Sequence, residues 1–134
     1  MKKNQFLVTL CSLMLLLSAC AKDNLDPRDA FVGTYSISAN YVCSDCFGNF
    51  WSNSYTSTIV VSKGDKENEL LFTDSYQTNH RVTLSGSSFK IEDFLMSNGS
   101  IGTGGGAFDS NAISYNLGFS YGCTVCSEEG RGTK

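Results

Sequence analysis

The chain has 134 residues, one proline and a formal charge of −3, which leaves room for one domain with a modest core. Its ten Lys and Arg and thirteen Asp and Glu are scattered, so no basic footprint for nucleic acid is present. A mildly acidic, soluble exterior is expected.

Residues 1–20 read as a targeting segment. Lys2 and Lys3 supply positive charge, and Phe6 to Leu17 form an apolar run broken by Thr9, Cys11 and Ser12. The run is shorter than the roughly 20 apolar residues of a membrane-spanning helix. It ends in Leu17-Ser18-Ala19-Cys20, which resembles the bacterial lipobox: an aliphatic residue, two small residues and a cysteine. The resemblance implies cleavage before Cys20 and acyl groups on its thiol. At about 0.8 kcal/mol per buried methylene, two or three chains make attachment effectively permanent. An ordinary signal peptide with a chance cysteine, or an uncleaved anchor, is the plainer alternative. Losing Lys2 and Lys3 takes the side-chain charge from −3 to −5. Ala21 is not the Asp that resembles an inner-membrane retention signal. Lys22-Asp23-Asn24 loosely resembles the Lys/Asp-rich stretch that sends some Bacteroidetes lipoproteins to the cell surface. An outer-membrane lipid anchor is the expectation, with the domain on the periplasmic or surface face. The expected organisation is a signal peptide over 1–19, a lipidated tether with a short helical turn over 20–30, and a β domain over 31–134.

Asp26-Pro27-Arg28-Asp29 has the form of one helical turn, with Asp26 as cap, Pro27 at the first position and Asp29 at capping-box spacing. From Phe31 the period becomes two: Tyr35, Ile37, Ala39 and Tyr41 alternate with polar residues. Further runs fall at Tyr55 to Val61, Glu69 to Thr73, Arg81 to Leu84, Phe89 to Ile91, Ser100 to Phe108 and Ala112 to Tyr121. The last alternates most cleanly, through Ile113, Tyr115, Leu117, Phe119 and Tyr121. Lys63-Gly64-Asp65, Ser85-Gly86-Ser87 and Asn98-Gly99 are the turn signals between them. These runs predict an all-β antiparallel up-and-down meander of seven or eight strands, a small barrel or sandwich ending near Cys126.

Phe31-Val32-Gly33-Thr34-Tyr35, following a capped turn, resembles the opening of lipocalin-like barrels, with Tyr35 where those proteins usually have Trp. The segment from Asp26 to Tyr35 also looks like the start of many small Bacteroidetes lipoproteins. The resemblance implies a barrel with a ligand-binding mouth.

Cys43-Ser44-Asp45-Cys46 and Cys123-Thr124-Val125-Cys126 are two pairs in a domain expected to be exported, which suits disulfides. With seven strands, Cys43 ends the first and Cys123 the last, so both pairs lie at one end; an eighth strand would separate them. A bond between the pairs would close a loop of about 80 residues, for ~4 kcal/mol in the chain-entropy model. Three pairings are open. A four-cysteine zinc site is the sharper alternative, with Gly48 reminiscent of zinc knuckles. A redox role is the third, although no helix follows either pair to lower a thiol pKa. In-pair bonds or a metal both require turns at Ser44-Asp45 and Thr124-Val125.

Gly102-Thr103-Gly104-Gly105-Gly106 lacks the Gly-Lys-Ser/Thr ending of a phosphate loop and reads as a bulged or flexible strand. His80, the only histidine, falls in a polar connection and reads as surface. Glu92 and Asp93 are adjacent and so face opposite sides of a strand. Phe47, Phe50, Trp51 and Tyr55 cluster beside the first cysteines, and Phe50, Trp51 and Tyr55 are candidates for ligand contact. The pattern points to a non-enzymatic, membrane-anchored binding module at the cell envelope, without a cofactor unless the cysteines hold zinc. Its partner is a small ligand or an envelope protein, with no nucleic acid. A filled barrel serving structure or protein contact is the alternative. A cavity opening beside Trp51 separates these two readings.

Overall fold

The computed structural model describes residues 25–75, 78–95 and 101–134. The expected targeting segment, Cys20 and the expected Asn98-Gly99 turn lie outside the described residues. Eight antiparallel strands close into a barrel in sequence order. They are β1 (Gly33–Ser44), β2 (Phe50–Lys63), β3 (Glu69–Thr73), β4 (Asn79–Ser85), β5 (Ser88–Leu95), β6 (Ile101–Asp109), β7 (Ala112–Tyr121) and β8 (Thr124–Thr133). The first seven correspond to the seven alternating runs, most of them longer than the apolar signal by a few residues. The eighth corrects the expected end near Cys126. It pairs with β7 from Thr133 to Thr124 and with β1 from Thr133 to Val125, and so closes the sheet.

One end of the barrel is a packed floor. Tyr35, Ile37, Val61, Leu70, Phe72, Val82, Phe89, Ile91, Phe108 and Ile113 are buried there in one cluster. Cross-strand partners share a face, and the register aligns Val61 with Phe72, Leu70 with Val82 and Phe108 with Ile113. Each such side chain contributes roughly 1.5–3 kcal/mol of burial. Phe31 stacks on Phe108 at 4.5 Å, and the buried Tyr35 hydroxyl donates to the Phe31 carbonyl at 2.9 Å.

The N-terminal turn is a 3-10 helix, Pro27–Ala30, whose cap Asp26 accepts from the Arg28 amide at 3.0 Å. It lies across the floor. Arg28 donates to the carbonyls of Gly64 and Lys66 in the β2–β3 turn, and Lys63 pairs with Asp26 and Asp29. The Asp29 carboxylate therefore goes to Lys63, because the 3-10 helix puts it beside the end of β2.

The β6 glycines form the expected strand, but the bulge falls on its partner. β6 is a continuous strand, and the irregularity lies in β5, where the register shifts between Ile91 and Phe94 opposite Gly104 and Gly102. One extra residue in β5 bulges the hairpin there, at the Glu92-Asp93 pair.

Three carboxylates tie this frame to pH. Arg28 beside Asp26 holds that carboxyl far below the usual range, bonds from Asn49 lower Asp45, and Arg81 lowers Glu69. Folded values below unfolded ones mean that the unfolded chain binds more protons in acid. The stabilisation is whole above about pH 5, just over the unfolded carboxylate range, and is lost as pH falls towards the folded values. Denaturant midpoints should be flat down to about pH 5 and then fall. Arg28→Met should flatten that acid limb, and an unchanged limb would show that Asp26 does not drive it.

Candidate functional site

The other end of the barrel is held by the cysteines. Cys43 of β1 bonds Cys126 of β8, and Cys46 bonds Cys123, at sequence separations of 83 and 77. Cys43 and Cys126 are direct cross-strand partners on the inner face, with Cα atoms 4.1 Å apart. Cys46 sits in the β1–β2 turn and Cys123 in the β7–β8 turn. The expectation that an eighth strand would separate the pairs is corrected: β8 starts at the end where β7 stops, so its first residues stay beside the end of β1.

Both bonds run between the pairs, so Thr124-Val125 remains extended and needs no turn. The turn after Cys43 is built by Asp45, whose carboxylate accepts from the amides of Phe47 and Asn49, both at 2.9 Å. Gly48, at φ 82°, closes it, a conformation glycine adopts without steric cost. All four cysteine sulfurs are taken up in disulfides, so the thiolates that a zinc site requires are not present. No group of three or more potential metal-ligating side chains gathers among the described residues.

Between this stapled end and the floor the barrel opens. β3 pairs with β2 only from Val60 to Lys63, so the inner face of β2 above Ile59 has no β3 neighbour. Register with β1 puts Trp51 opposite Cys43, Asn53 opposite Tyr41 and Tyr55 opposite Ala39. Trp51 and Tyr55 thus face inward, yet they are 43% and 37% exposed. The inner face of β2 is thus uncovered at this end, the mouth of the barrel. Phe50 points to the outer face and is 75% exposed, so strand alternation separates it from Trp51 and Tyr55. The described residues also outline an open recess of about 690 Å3, but it lies at the floor end over the β4–β5 hairpin, lined by Leu84, Phe89, Lys90 and Glu92 among others. It does not open beside Trp51.

Below the mouth lies a polar group that the sequence reading missed. Glu128 of β8 stands between Tyr41 and Leu117 on the inner face and is 8% exposed. The Tyr115 hydroxyl donates to its Oε1 at 2.9 Å. Burial first, then the Glu128 charge and the bonds to Glu128 and Tyr55, push the Tyr115 phenol far above its ordinary value, so it stays a neutral donor. Tyr41 lies beside Tyr55 with ring centroids 6.3 Å apart. Gly130 makes the arrangement possible, because a Cβ there would collide with the Tyr115 ring.

His80 is not in a surface connection: it belongs to β4, is half-buried, and its Nε2 lies 3.4 Å from Asp74. Glu92 is exposed and accepts from the Thr83 hydroxyl at 2.9 Å.

No family model, curated protein or solved structure matches the chain.

Proposed function

We propose that the chain is a lipid-anchored protein of the bacterial envelope that acts by binding rather than by turnover, and that it binds at the stapled mouth. The supporting observation is the polarity of the barrel. The chain enters at the floor, where Pro27–Ala30 packs under β1, and the aromatic mouth lies at the far end of that 12-residue strand. An anchor on Cys20 would hold the floor towards the bilayer and leave the mouth facing away from it. Eight strands enclose an interior just wide enough for side chains or one small ligand. Here the floor is filled by side chains, whereas the inward-facing Trp51 and Tyr55 at the mouth stay 43% and 37% exposed. The lipocalin-like opening at Phe31 to Tyr35 agrees with this reading by analogy of fold.

A second reading has its own observation. On the outer face of the stapled end, Phe50, Ser44 and Val125 lie side by side in register, and Val42 follows on the same face. Val42, Phe47, Phe50 and Val125 are all exposed. Apolar residues gathered there suit contact with an envelope protein.

Two measurements test the proposal. Cys20→Ser should move the chain from the membrane fraction to the soluble fraction. In a small-molecule thermal-shift screen, compounds that raise the Tm should lose their effect in Trp51→Ala while the unliganded Tm stays close to that of the parent. Hits unaffected by Trp51→Ala but lost in Leu84→Ala would move the site to the β4–β5 recess.

A further inference from the structure

We infer that the mouth receives a small organic cation, with Glu128 as its counter-charge and the rings of Tyr41 and Tyr55 as its walls. The inference rests on the binding reading above and adds the ligand's chemistry.

The chain buries two carboxylates among its described residues, and it treats them differently. Glu69 at the floor is compensated from within: Arg81 reaches its Oε1 at 2.8 Å and the Asp65 amide its Oε2 at 2.9 Å. Glu128 is met by one neutral phenol, and no cation pairs with it among the described residues. A buried carboxylate without a counter-charge is costly. Its structural task is to accept from the buried Tyr115 hydroxyl, which a neutral acceptor would serve as well, and its flanking inward neighbours Tyr41 and Leu117 bring no counter-charge. From Ala39 upward, the inward positions of β1, β2, β7 and β8 carry one charged side chain, Glu128. A neutral or anionic guest would leave that charge uncompensated. A cation entering from the mouth meets it, and the surrounding aromatic faces attract the same charge.

The donor set also discriminates among cations. Calcium takes six to eight oxygen ligands, and magnesium takes a full octahedron. One carboxylate between Tyr41 and Leu117, with the Tyr115 hydroxyl on one oxygen, instead suits an ammonium group on an apolar body.

Trp51, the only tryptophan of the chain, stands at the rim and reports occupancy through its emission. Phenethylammonium, its neutral isostere 2-phenylethanol and phenylacetate are titrated into the full chain, with calorimetry alongside. The expected result is saturable binding of the ammonium compound, with the alcohol weaker by on the order of thirtyfold and phenylacetate weaker still. Glu128→Gln, whose amide oxygen can still accept from Tyr115, should weaken the ammonium by a similar factor and leave the alcohol unchanged. Tyr41→Leu, which leaves that hydrogen bond alone, should weaken it by about fivefold. Equal affinity for ammonium and alcohol, or a Glu128→Gln variant that binds the ammonium as before, overturns the cation assignment while leaving a binding mouth. Silence towards phenethylammonium overturns it as well, and the thermal-shift screen then decides separately whether the mouth binds anything.

Discussion

Removing both disulfides should destabilise the barrel by about 7 kcal/mol, more than the combined loss of about 2.5 kcal/mol from each alone. The reason is nesting. Cys43–Cys126 closes a loop of 83 residues, which restricts the unfolded chain by about 4.5 kcal/mol in the chain-entropy model. With that bond in place, Cys46–Cys123 joins ends already held close, across a ring of roughly eight residues worth about 2.5 kcal/mol. Either bond can serve as the large closure when the other is absent. Each single loss therefore removes only the small increment, and the double loss removes both. Domains of this size hold roughly 5–15 kcal/mol, so variants with one bond should fold while the variant with none stands near the edge of folding. Urea titrations of Cys46→Ser/Cys123→Ser, Cys43→Ala/Cys126→Ala and the quadruple variant measure this. Strictly additive losses would show that the two bonds act on independent parts of the chain.

The stapled end also shows where the sequence was readable. Most of the other strands announced themselves because their inward positions are largely apolar and alternate with polar ones, as at Tyr35, Ile37 and Ala39 or at Ile113, Tyr115 and Leu117. β8 did not, because its inward positions are Cys126, Glu128, Gly130 and Gly132. Gly130 yields its space to the Tyr115 ring and Gly132 to Ile37, so the strand contributes room where the others contribute bulk. That pattern resembles a polar tail. Glu128 was hidden for the same reason: beside Glu129 it reads as a solvated charge, and only pairing with Tyr41 and Leu117 turns it inward. Strand parity was enough to bring the cysteine pairs to one end, but choosing among three pairings needed the register of β1 against β8. Trp51 was legible as a candidate by its chemistry. Its inward direction, and the outward direction of Phe50, came from a strand that starts five residues before the apolar alternation does.

Phe108→Ala should cost roughly 3–5 kcal/mol, whereas Trp51→Ala should cost under about 1 kcal/mol, although tryptophan is the larger side chain. Phe108 is 4% exposed and central to the floor. Its ring centroid lies 4.5 Å from Phe31, 5.1 Å from Phe89, 5.9 Å from Tyr35 and 6.1 Å from Phe72. Four aromatic partners from the N-terminal segment, β1, β3 and β5 cannot all collapse into the space it leaves, because each is pinned by its own strand or turn, so a cavity remains and adds to the lost transfer energy. The aromatic pairs add geometric terms beyond area. Trp51 is 43% exposed and stands where β3 does not reach, so its removal opens little that was closed. Paired urea titrations of the two variants decide the point. A loss at Trp51 matching that at Phe108 would mean that the mouth is part of the stabilising core and that its aromatic side chains are not held open for a guest.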